Sequence, residues 1–416
     1  MKIYISNKIR RVYFYDDFVT FFGDLPITKQ NLGLSHTVFC ICNGINDFDQ
    51  IAHSLIDKFA LKSDLETVKR MIHQCTIADT SIEHAFVLNS NEANNNLIFN
   101  GIVGKRYPDV LHIELTSQCN FMCSHCYKNA LYVGESVCYK WLSEKIYDRL
   151  KQQIPIIHLT GGEPTLHKDF SKIVDLFAND FDLQLTTNGS RITTYSMEVF
   201  KKFQAIDISL YGLSGNEYKV NTGSAESYNL VMSGCRELKA ADINFGVTLV
   251  INAQNWTQLE NYVEYAIRVG AKSISFALPM NSGRLINSNS DKWFLSPETK
   301  KNIYKCYRSV SKKYKDDIIV REWTRSAYSN MWNSYPSDDS LRCGAGRTNW
   351  WMSEQKQFRP CSFLPNEYIC LDYDEWIKYI TKESNIDWKN SRKLLEVFAS
   401  KNDLKITDIC PIFRKE

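Results

Sequence analysis

The sequence predicts an α/β protein whose largest part is a partial, TIM-like (β/α)6 barrel. A small winged-helix-like α+β module precedes the barrel, and a small cysteine-bearing domain follows it. Three observations predict this fold: six short apolar runs alternate with amphipathic stretches, the N-terminus is rich in β-branched and aromatic residues, and the irregular C-terminal part carries spaced cysteines. Strands that alternate with helical patterns are typical of β/α units on a parallel sheet.

The composition is that of a globular protein with ordinary charge. The 416 residues suffice for two or three domains, and Lys and Arg (50) nearly balance Asp and Glu (47). We therefore expect no nucleic-acid or membrane partner. The start, MKIYISNKIRR, lacks the apolar segment of a signal peptide, and no long apolar run follows, so we expect a cytoplasmic protein. Because 13 cysteines cannot all pair, they are expected to be buried thiols or metal ligands.

Residues 1–88 form the predicted N-terminal module. The segment KIYISNKIRRVYFYDDFVTFF is rich in strand-forming residues, and three helical patterns follow it. The third pattern covers Leu65 to Cys75 and places Leu65, Val68, Met71 and Ile72 on one face. A small sheet with three helices predicts a winged-helix-like fold. The polar run NSNEANNN then begins a predicted linker over residues 89–107.

Residues 108–315 are predicted to form the barrel, and residues 316–416 the C-terminal domain. The six expected strands lie in VLHIEL, IPIIHLT, FDLQLTT, AIDISLY, INFGVTLVI and KSISFAL. Crossovers between parallel strands are nearly always right-handed, so the sheet should curl in one sense toward a barrel. In such folds the chemistry lies at the C-terminal ends of the strands.

Three cysteines follow the first barrel strand directly, in the segment CNFMCSHC. Thiolates such as those of Cys119, Cys123 and Cys126 favour zinc or iron–sulfur clusters. A closed zinc site would need a fourth ligand, for which His112 or His125 is available. On a four-iron cluster, three ligands would leave one iron open to substrate. The remaining alternative is three unrelated buried thiols.

The spacing C-x3-C-x2-C after the first strand of a six-stranded β/α barrel resembles the radical S-adenosylmethionine (radical SAM) superfamily. The resemblance implies a 4Fe–4S cluster held by the three cysteines, whose open iron chelates SAM. Reduction of SAM then releases a 5′-deoxyadenosyl radical that abstracts hydrogen from the substrate. That chemistry belongs to the cofactor, while the protein positions it.

Other residues at the strand ends resemble the SAM-binding positions of the superfamily. The segment GGEP after the second strand resembles the part that binds the SAM amino group, although alone it is also a tight turn. TTNG after the third strand is either a ribose and carboxylate contact or a turn. Arg284 either faces the SAM carboxylate or lies on the surface. By resemblance, the expected SAM contacts are Tyr127 (at the adenine), Gly161, Gly162, Glu163, Thr187, Asn188 and Ser209.

The C-terminal cysteines resemble an auxiliary cluster site. RCGAGRTNWWMSEQKQFRPCSFLP is similar to the opening of SPASM and twitch domains, which hold auxiliary iron–sulfur clusters. The chain departs from that pattern, with Lys356 at a usual glycine and only one cysteine near the end. The resemblance therefore implies a truncated, twitch-like domain with one auxiliary cluster, or else inert core thiols. The expected ligands are Cys343, Cys361 and Cys410, with Cys370 or another group as the fourth.

The N-terminal module, fused to such a barrel, resembles a recognition element for ribosomally made, post-translationally modified peptides. These modules bind a precursor's leader by adding it as a strand to a sheet edge. The groove would lie between that edge and the third helix. A winged helix also suggests DNA binding, but the third helix carries acidic residues beside its basic ones.

Together these resemblances imply a radical SAM peptide maturase that forms a carbon–carbon or thioether cross-link within a precursor peptide. A flavodoxin or ferredoxin is the expected electron donor. One alternative is a peptide epimerase, which needs a hydrogen-donating thiol such as Cys138 or Cys235. The others are a maturase of a folded protein, of the sulfatase-activating type, and a non-enzymatic iron–sulfur sensor that binds DNA.

Overall fold

A computed structural model describes most of the chain. The described residues are 1–23, 27–59, 63–88, 90–279, 282–285, 291–293, 295–322, 344–363 and 370–383. Two of the predicted auxiliary ligands, Cys343 and Cys410, lie outside these residues.

The N-terminal module packs three helices against a small sheet. Its strands are β1 (Tyr4–Ile5), β2 (Arg11–Tyr15), β3 (Phe18–Phe22), β4 (Ile27–Gln30), β5 (Phe86–Val87) and β6 (Ile98–Gly101). Its helices are α1 (Leu32–Cys42), α2 (Phe48–Phe59) and α3 (Leu65–Cys75). The main sheet has the order β4-β3-β2-β6, with β2, β3 and β4 antiparallel, while β1 pairs with β5.

The sheet of this module is buried on both faces. Alternate residues such as Phe14 and Phe21 pack against the helices, whereas Tyr13 and Tyr15 form a separate buried cluster on the other face. The Tyr13 hydroxyl donates to the Tyr107 carbonyl, which belongs to the segment leading into the barrel. Because both faces are covered, the strands are rich in aromatic and β-branched residues on both sides.

Residues 98–101 correct the predicted linker over residues 89–107. They form β6, which pairs in parallel with β2 in the register Arg11↔Ile98 to Phe14↔Gly101. Gly101 has φ of +80°, and a Cβ there would lie 2.1 Å from the Phe14 carbonyl oxygen. The prediction is wrong for these residues because a four-residue strand is too short to show a period in the sequence.

The six predicted barrel strands are confirmed. They are β7 (Val110–Glu114), β8 (Ile156–Thr160), β9 (Asp182–Thr187), β10 (Ala205–Leu210), β11 (Gly246–Val250) and β12 (Ser273–Ala277). Each is parallel to the next in chain order. Together with the helices outside them, they form the partial barrel.

Three further strands extend this sheet and correct the predicted boundary at residue 315. They are β13 (Ile319–Glu322), parallel to β12, β14 (Asn349–Met352), parallel to β7, and β15 (Phe358–Arg359), antiparallel to β14. The C-terminal part of the chain therefore completes the core sheet at both ends. Local patterns do not reveal this, because β14 pairs with a strand some 240 residues earlier.

The helices cover the outer face of the barrel sheet. They are α4 (Tyr139–Trp141) and α5 (Asp148–Leu150), joined by a π-helical segment (Leu142–Tyr147), then α6 (Phe170–Phe177), α7 (Met197–Phe200), α8 (Gly215–Thr222), α9 (Glu226–Ala240), α10 (Leu259–Val269), α11 (Pro297–Lys313) and α12 (Tyr373–Ile380). As predicted, Ser296 caps α11, accepting from the Thr299 amide, and Pro297 opens it. None of the described helices has the length and apolarity needed to cross a membrane.

The inner face of the barrel is polar and unfilled. A closed TIM barrel is packed with bulky branched side chains. Here the inner face carries small or polar residues such as Thr186, Asp207, Thr248 and Ser275, which line a cavity of about 530 Å³. The cavity runs from the three-cysteine loop to residues at the strand starts, such as Asn244.

A buried charge cluster fastens the C-terminal strands to the barrel. The Glu114 carboxylate at the end of β7 is fully buried and accepts from Arg359 through both oxygens, at 2.7 and 2.6 Å. Lys128 donates to Glu114 at 2.8 Å and to Glu354 at 2.7 Å. One carboxylate therefore joins β7, the segment after the cysteines and the β14–β15 hairpin.

Replacing Glu114 is expected to destabilise this junction strongly. The variant Glu114→Ala leaves two buried cations without their shared partner, a change that costs about 3–5 kcal/mol in comparable pairs. Urea unfolding followed by circular dichroism measures the loss. Glu198→Ala, which removes an exposed pair with Lys201, should leave the unfolding midpoint unchanged. Equal midpoints for the two variants would contradict the assigned role of Glu114.

Candidate functional site

The three predicted cysteines lie in one loop at the C-terminal end of β7. Cys119 and Cys123 are buried, Cys126 is half-buried, and all three line the barrel cavity. The loop is shaped by its own backbone, since the Cys119 amide donates to the Leu131 carbonyl at 2.7 Å. The structure thus brings the three thiols together at one end of the cavity.

The thiols suit a metal cluster that displaces their protons. Burial, with a contribution from the charge of Glu163, raises the pKa of the Cys119 thiol to about 12. Burial also raises the pKa of Cys123, and the neighbouring Cys126 and Cys119 add to the rise. Thiols of this kind become thiolates only when a metal compensates the charge, so binding a cluster would release protons.

The two histidines considered as zinc ligands both pack against tryptophan rings. The His112 ring stacks on Trp351 with centroids 4.0 Å apart, and the His125 ring packs on Trp293 at 4.7 Å. In the part of the chain that the structure describes, no three His, Cys, Asp or Glu side chains are grouped as ligands of a single ion.

The glycines after β8 are required by the cysteine loop itself. A Cβ on Gly161 would lie 2.6 Å from the Thr116 carbonyl oxygen, and one on Gly162 would lie 2.2 Å from the Gln118 carbonyl oxygen. The Gly162 amide donates to Thr116 at 2.7 Å. Both glycines also line the cavity. Absence of a side chain therefore lets the two loops lie backbone against backbone.

Glu163, whose contact with SAM stays a prediction, joins two strand ends in the structure. Its carboxylate is fully buried and is not part of the cavity lining. One oxygen accepts from the Thr165 and Thr187 hydroxyls at 2.6 and 2.7 Å, and the other accepts from the Asn188 amide at 2.7 Å. Because these donors occupy the carboxylate, Glu163 ties the end of β8 to the end of β9.

The other predicted SAM contacts line the cavity beside the cysteines, where their role stays a prediction. Thr187, Asn188, Ser209 and Tyr127 all do so. The Asn188 side-chain amide lies 3.9 Å from the Cys119 sulfur, within range of a weak hydrogen bond. Hydrogen bonds to ligand sulfurs tune iron–sulfur clusters, so Asn188 has a second use that the sequence did not suggest.

Arg284 and Asp207 make contacts that the sequence did not indicate. The Arg284 guanidinium, for which the SAM carboxylate and the surface were the alternatives, donates to the Cys123 carbonyl at 2.8 Å. Asp207, on the inner face of β10, accepts from the Thr248 hydroxyl at 2.6 Å. Burial raises the pKa of Asp207 to about 6, against opposing effects of Thr248 and Arg321. The polar residues that interrupt the apolar segments FDLQLTT and AIDISLY could have indicated that the barrel interior is polar.

The described C-terminal cysteines flank β15. Cys361 and Cys370 are half-buried, and burial raises the pKa of Cys370. Lys356, which stands at a usual glycine of the twitch pattern, has φ of +66° in the turn between β14 and β15. The chain therefore keeps the left-handed turn for which glycine is favoured, at some cost in backbone strain. The auxiliary cluster itself stays a prediction.

Adding one methyl group at Gly162 should disturb the cysteine loop without unfolding the barrel. Gly162→Ala places a Cβ against the Gln118 carbonyl, so we expect the reconstituted protein to lose most of its iron. In Gly215→Ala the nearest atom is an ordinary 3.4 Å away, and iron should be unchanged. Iron analysis with circular dichroism as a folding check measures both. Full iron in Gly162→Ala would show that the close approach is dispensable.

Known proteins share this domain and fold. Residues 113–266 match the model of the Radical SAM superfamily. GTP 3′,8-cyclase of Nautilia profundicola is 26% identical over 313 residues, which cover 71% of this chain and 92% of that protein. The subtilosin biosynthesis protein AlbA of Bacillus subtilis is 23% identical over 275 residues, covering 63% of this chain and 57% of AlbA.

A solved structure shares the architecture along most of the chain. Streptococcus suis SuiB, bound to its precursor peptide SuiA, superposes with a TM-score of 0.63 at 13% identity, covering 94% of this chain and 92% of SuiB. An identity this low shows a shared fold alone. Residues 113–266 thus match the superfamily model, and the parallel, incompletely closed sheet that they belong to matches the partial TIM-like radical SAM fold.

Proposed function

We propose that this chain is a radical SAM peptide maturase that forms an intramolecular carbon–carbon or thioether cross-link in a ribosomally made precursor. The observation that carries the proposal is a single cavity with three thiols at one end and an unfilled polar barrel below them. Such a cavity has room for a peptide side chain beneath a cofactor. AlbA and the mycofactocin maturase of Mycobacterium tuberculosis, 30% identical over 172 residues, support the same class of substrate.

The cysteine loop would hold the cofactor. Cys119, Cys123 and Cys126 would ligate a 4Fe–4S cluster, with Tyr127, Thr187, Asn188 and Ser209 beside the bound SAM. Bound there, the cluster and SAM supply the electron transfer and hydrogen abstraction that start the reaction. The loop backbone, held against Gly161 and Gly162, keeps the ligands in place. A flavodoxin or ferredoxin would deliver the electron.

Asp207 is placed to handle a proton inside the barrel. Forming a cross-link from C–H and a second X–H bond removes two hydrogen atoms, one of which leaves as a proton and an electron. With its pKa near 6, the Asp207 carboxylate is mostly ionised at neutral pH and can accept that proton. The Thr248 hydroxyl orients the carboxylate from the neighbouring strand.

Cross-linking is favoured over epimerisation by the position of the thiols. An epimerase must return a hydrogen atom, typically from a thiol in the cavity. Cys235 lies on α9 and is 1% exposed, and Cys138 is exposed on the outer surface. Of the cysteines that the structure describes, those lining the cavity are the three of the loop. An auxiliary cluster on Cys343, Cys361, Cys370 and Cys410 would accept the electron that cross-linking releases.

The N-terminal module is the proposed docking site of the leader peptide. Strand β4 pairs with β3 on one side and with no other described strand. Lys29 on β4 forms an ion pair at 3.4 Å with Asp79, so the segment after α3 lies beside this edge. Met71 on α3 is 48% exposed. An open strand edge and an exposed apolar residue on the third helix suit a peptide that binds as an added strand.

The first experiment tests the reaction. Reconstituted enzyme, SAM and dithionite are combined with the short peptide encoded beside the gene, and the products are analysed by mass spectrometry. We expect the peptide to lose two hydrogen atoms, and GTP to remain unchanged. Cys123→Ala should abolish SAM cleavage, whereas the exposed Cys138→Ala should retain it. Unchanged peptide mass with deuterium uptake from solvent would instead indicate epimerisation.

The second experiment tests leader docking. Met71→Asp places a charge on the proposed docking surface, so turnover of the full precursor should fall about tenfold or more. Uncoupled SAM cleavage should be unchanged, because the cysteine loop is untouched. Leu230→Asp, at a 47% exposed leucine on α9, is the matched control and should behave as wild type. Equal precursor turnover in both variants would contradict the docking site.

A further inference from the structure

A tight turn after β12 touches the cysteine loop from the side opposite the glycines of β8. A Cβ on Gly283, whose φ is +53°, would lie 2.2 Å from the carbonyl oxygens of both Cys126 and Tyr127. The Arg284 amide donates to the Cys126 carbonyl at 3.0 Å. Glycine at residue 283 therefore lets this turn lie directly on the third cysteine.

The Arg284 side chain spans the loop. Its Nη1 donates to the Cys123 carbonyl at 2.8 Å, and its Nη2 donates to the Ala130 carbonyl. Nη2 also lies 3.5 Å from the Met122 sulfur. One planar guanidinium thus joins residues on both sides of Cys126, a geometry that its fixed fork of donors allows and a lysine ammonium does not reproduce.

The loop is also held by backbone bonds to α8. The amides of Met122 and Ser124 donate to the Thr222 and Asn221 carbonyls at the end of that helix, at 3.0 and 3.1 Å. These are backbone bonds, so side-chain substitutions leave them in place. Loss of the Arg284 side chain would therefore release its own contacts with the loop while the loop stays attached to α8.

The charge of Arg284 is also available to a cofactor. Among the described residues, no carboxylate forms an ion pair with it, and its hydrogen bonds go to neutral carbonyls. A cluster with thiolate ligands gains negative charge on reduction, so a nearby fixed cation favours the reduced form.

We propose that Arg284 is a positioning residue that fastens the cysteine loop in its ligand-binding conformation and, through its charge, raises the reduction potential of the bound cluster. The inference rests on the proposed 4Fe–4S cluster of this loop. The two effects can be separated, because holding the loop requires the guanidinium fork, whereas raising the reduction potential of the cluster requires only a positive charge.

Two substitutions test the two effects. Arg284→Lys keeps the charge and loses the fork, whereas Arg284→Gln loses the charge. Arg268→Gln, at an exposed arginine on α10, is the control. The measurements are the rate of iron loss to a chelator and a potentiometric titration of the electron paramagnetic resonance signal that changes on adding SAM.

Both variants should lose iron about tenfold faster than wild type, as for other residues that orient metal ligands. Arg284→Lys should keep the wild-type potential. In Arg284→Gln the ratio of reduced to oxidised cluster at the wild-type midpoint should fall about tenfold, which is about 59 mV for one electron. Arg268→Gln should match wild type in both measurements.

Wild-type iron loss and potential in both Arg284 variants would overturn the inference while leaving the proposed function intact. If the reduction potential falls equally in Arg284→Lys and Arg284→Gln, the charge of Arg284 does not set the potential, and that half of the inference is wrong. If Arg284→Gln does not fold, the iron loss of Arg284→Lys still decides the fastening role. A wild-type protein that binds no cluster would overturn the proposed function, and this inference with it.

Discussion

Close backbone contact around the three-cysteine loop is the constraint on which the site depends. Gly161 and Gly162 meet the loop from β8, and Gly283 meets it from the turn after β12, each where a Cβ would lie within 2.6 Å of a carbonyl oxygen. Side chains would push these walls apart. Because the walls are strand ends of one parallel sheet, the barrel must close far enough to bring β8 and the end of β12 to the same loop.

The rest of the molecule supports this arrangement. Glu163 uses its buried carboxylate to join the ends of β8 and β9, and Glu114 joins β7 to the C-terminal hairpin through Arg359. The N-terminal module is fixed to the barrel by Tyr13 and by the Arg11–Asp182 ion pair at 2.9 Å.

A feature could be predicted from the sequence where the pattern that indicates it lies within one short stretch of the chain. The six barrel strands were predicted because apolar runs alternate with helical patterns, and the cysteines because three thiols follow one strand. The strands β6 and β14 and the contact of Arg284 with the cysteine loop were not predicted, since the partners lie far away in the chain and no period marks them. Glu163 was assigned to the SAM amino group by the resemblance of GGEP, and its bonds to Thr187 and Asn188 at the end of the next strand could not be predicted from that segment alone.

The central claim is that a hydrogen atom is taken from a peptide held in the polar barrel. Transfer of deuterium tests it most directly: a fully deuterated precursor is turned over with unlabelled SAM, and the 5′-deoxyadenosine formed is analysed by mass spectrometry. The account predicts 5′-deoxyadenosine that carries deuterium from the peptide. Unlabelled 5′-deoxyadenosine, formed at the same rate with and without peptide, would contradict the account. Deuterium transferred to 5′-deoxyadenosine from deuterated GTP would instead indicate that the barrel binds a nucleotide substrate.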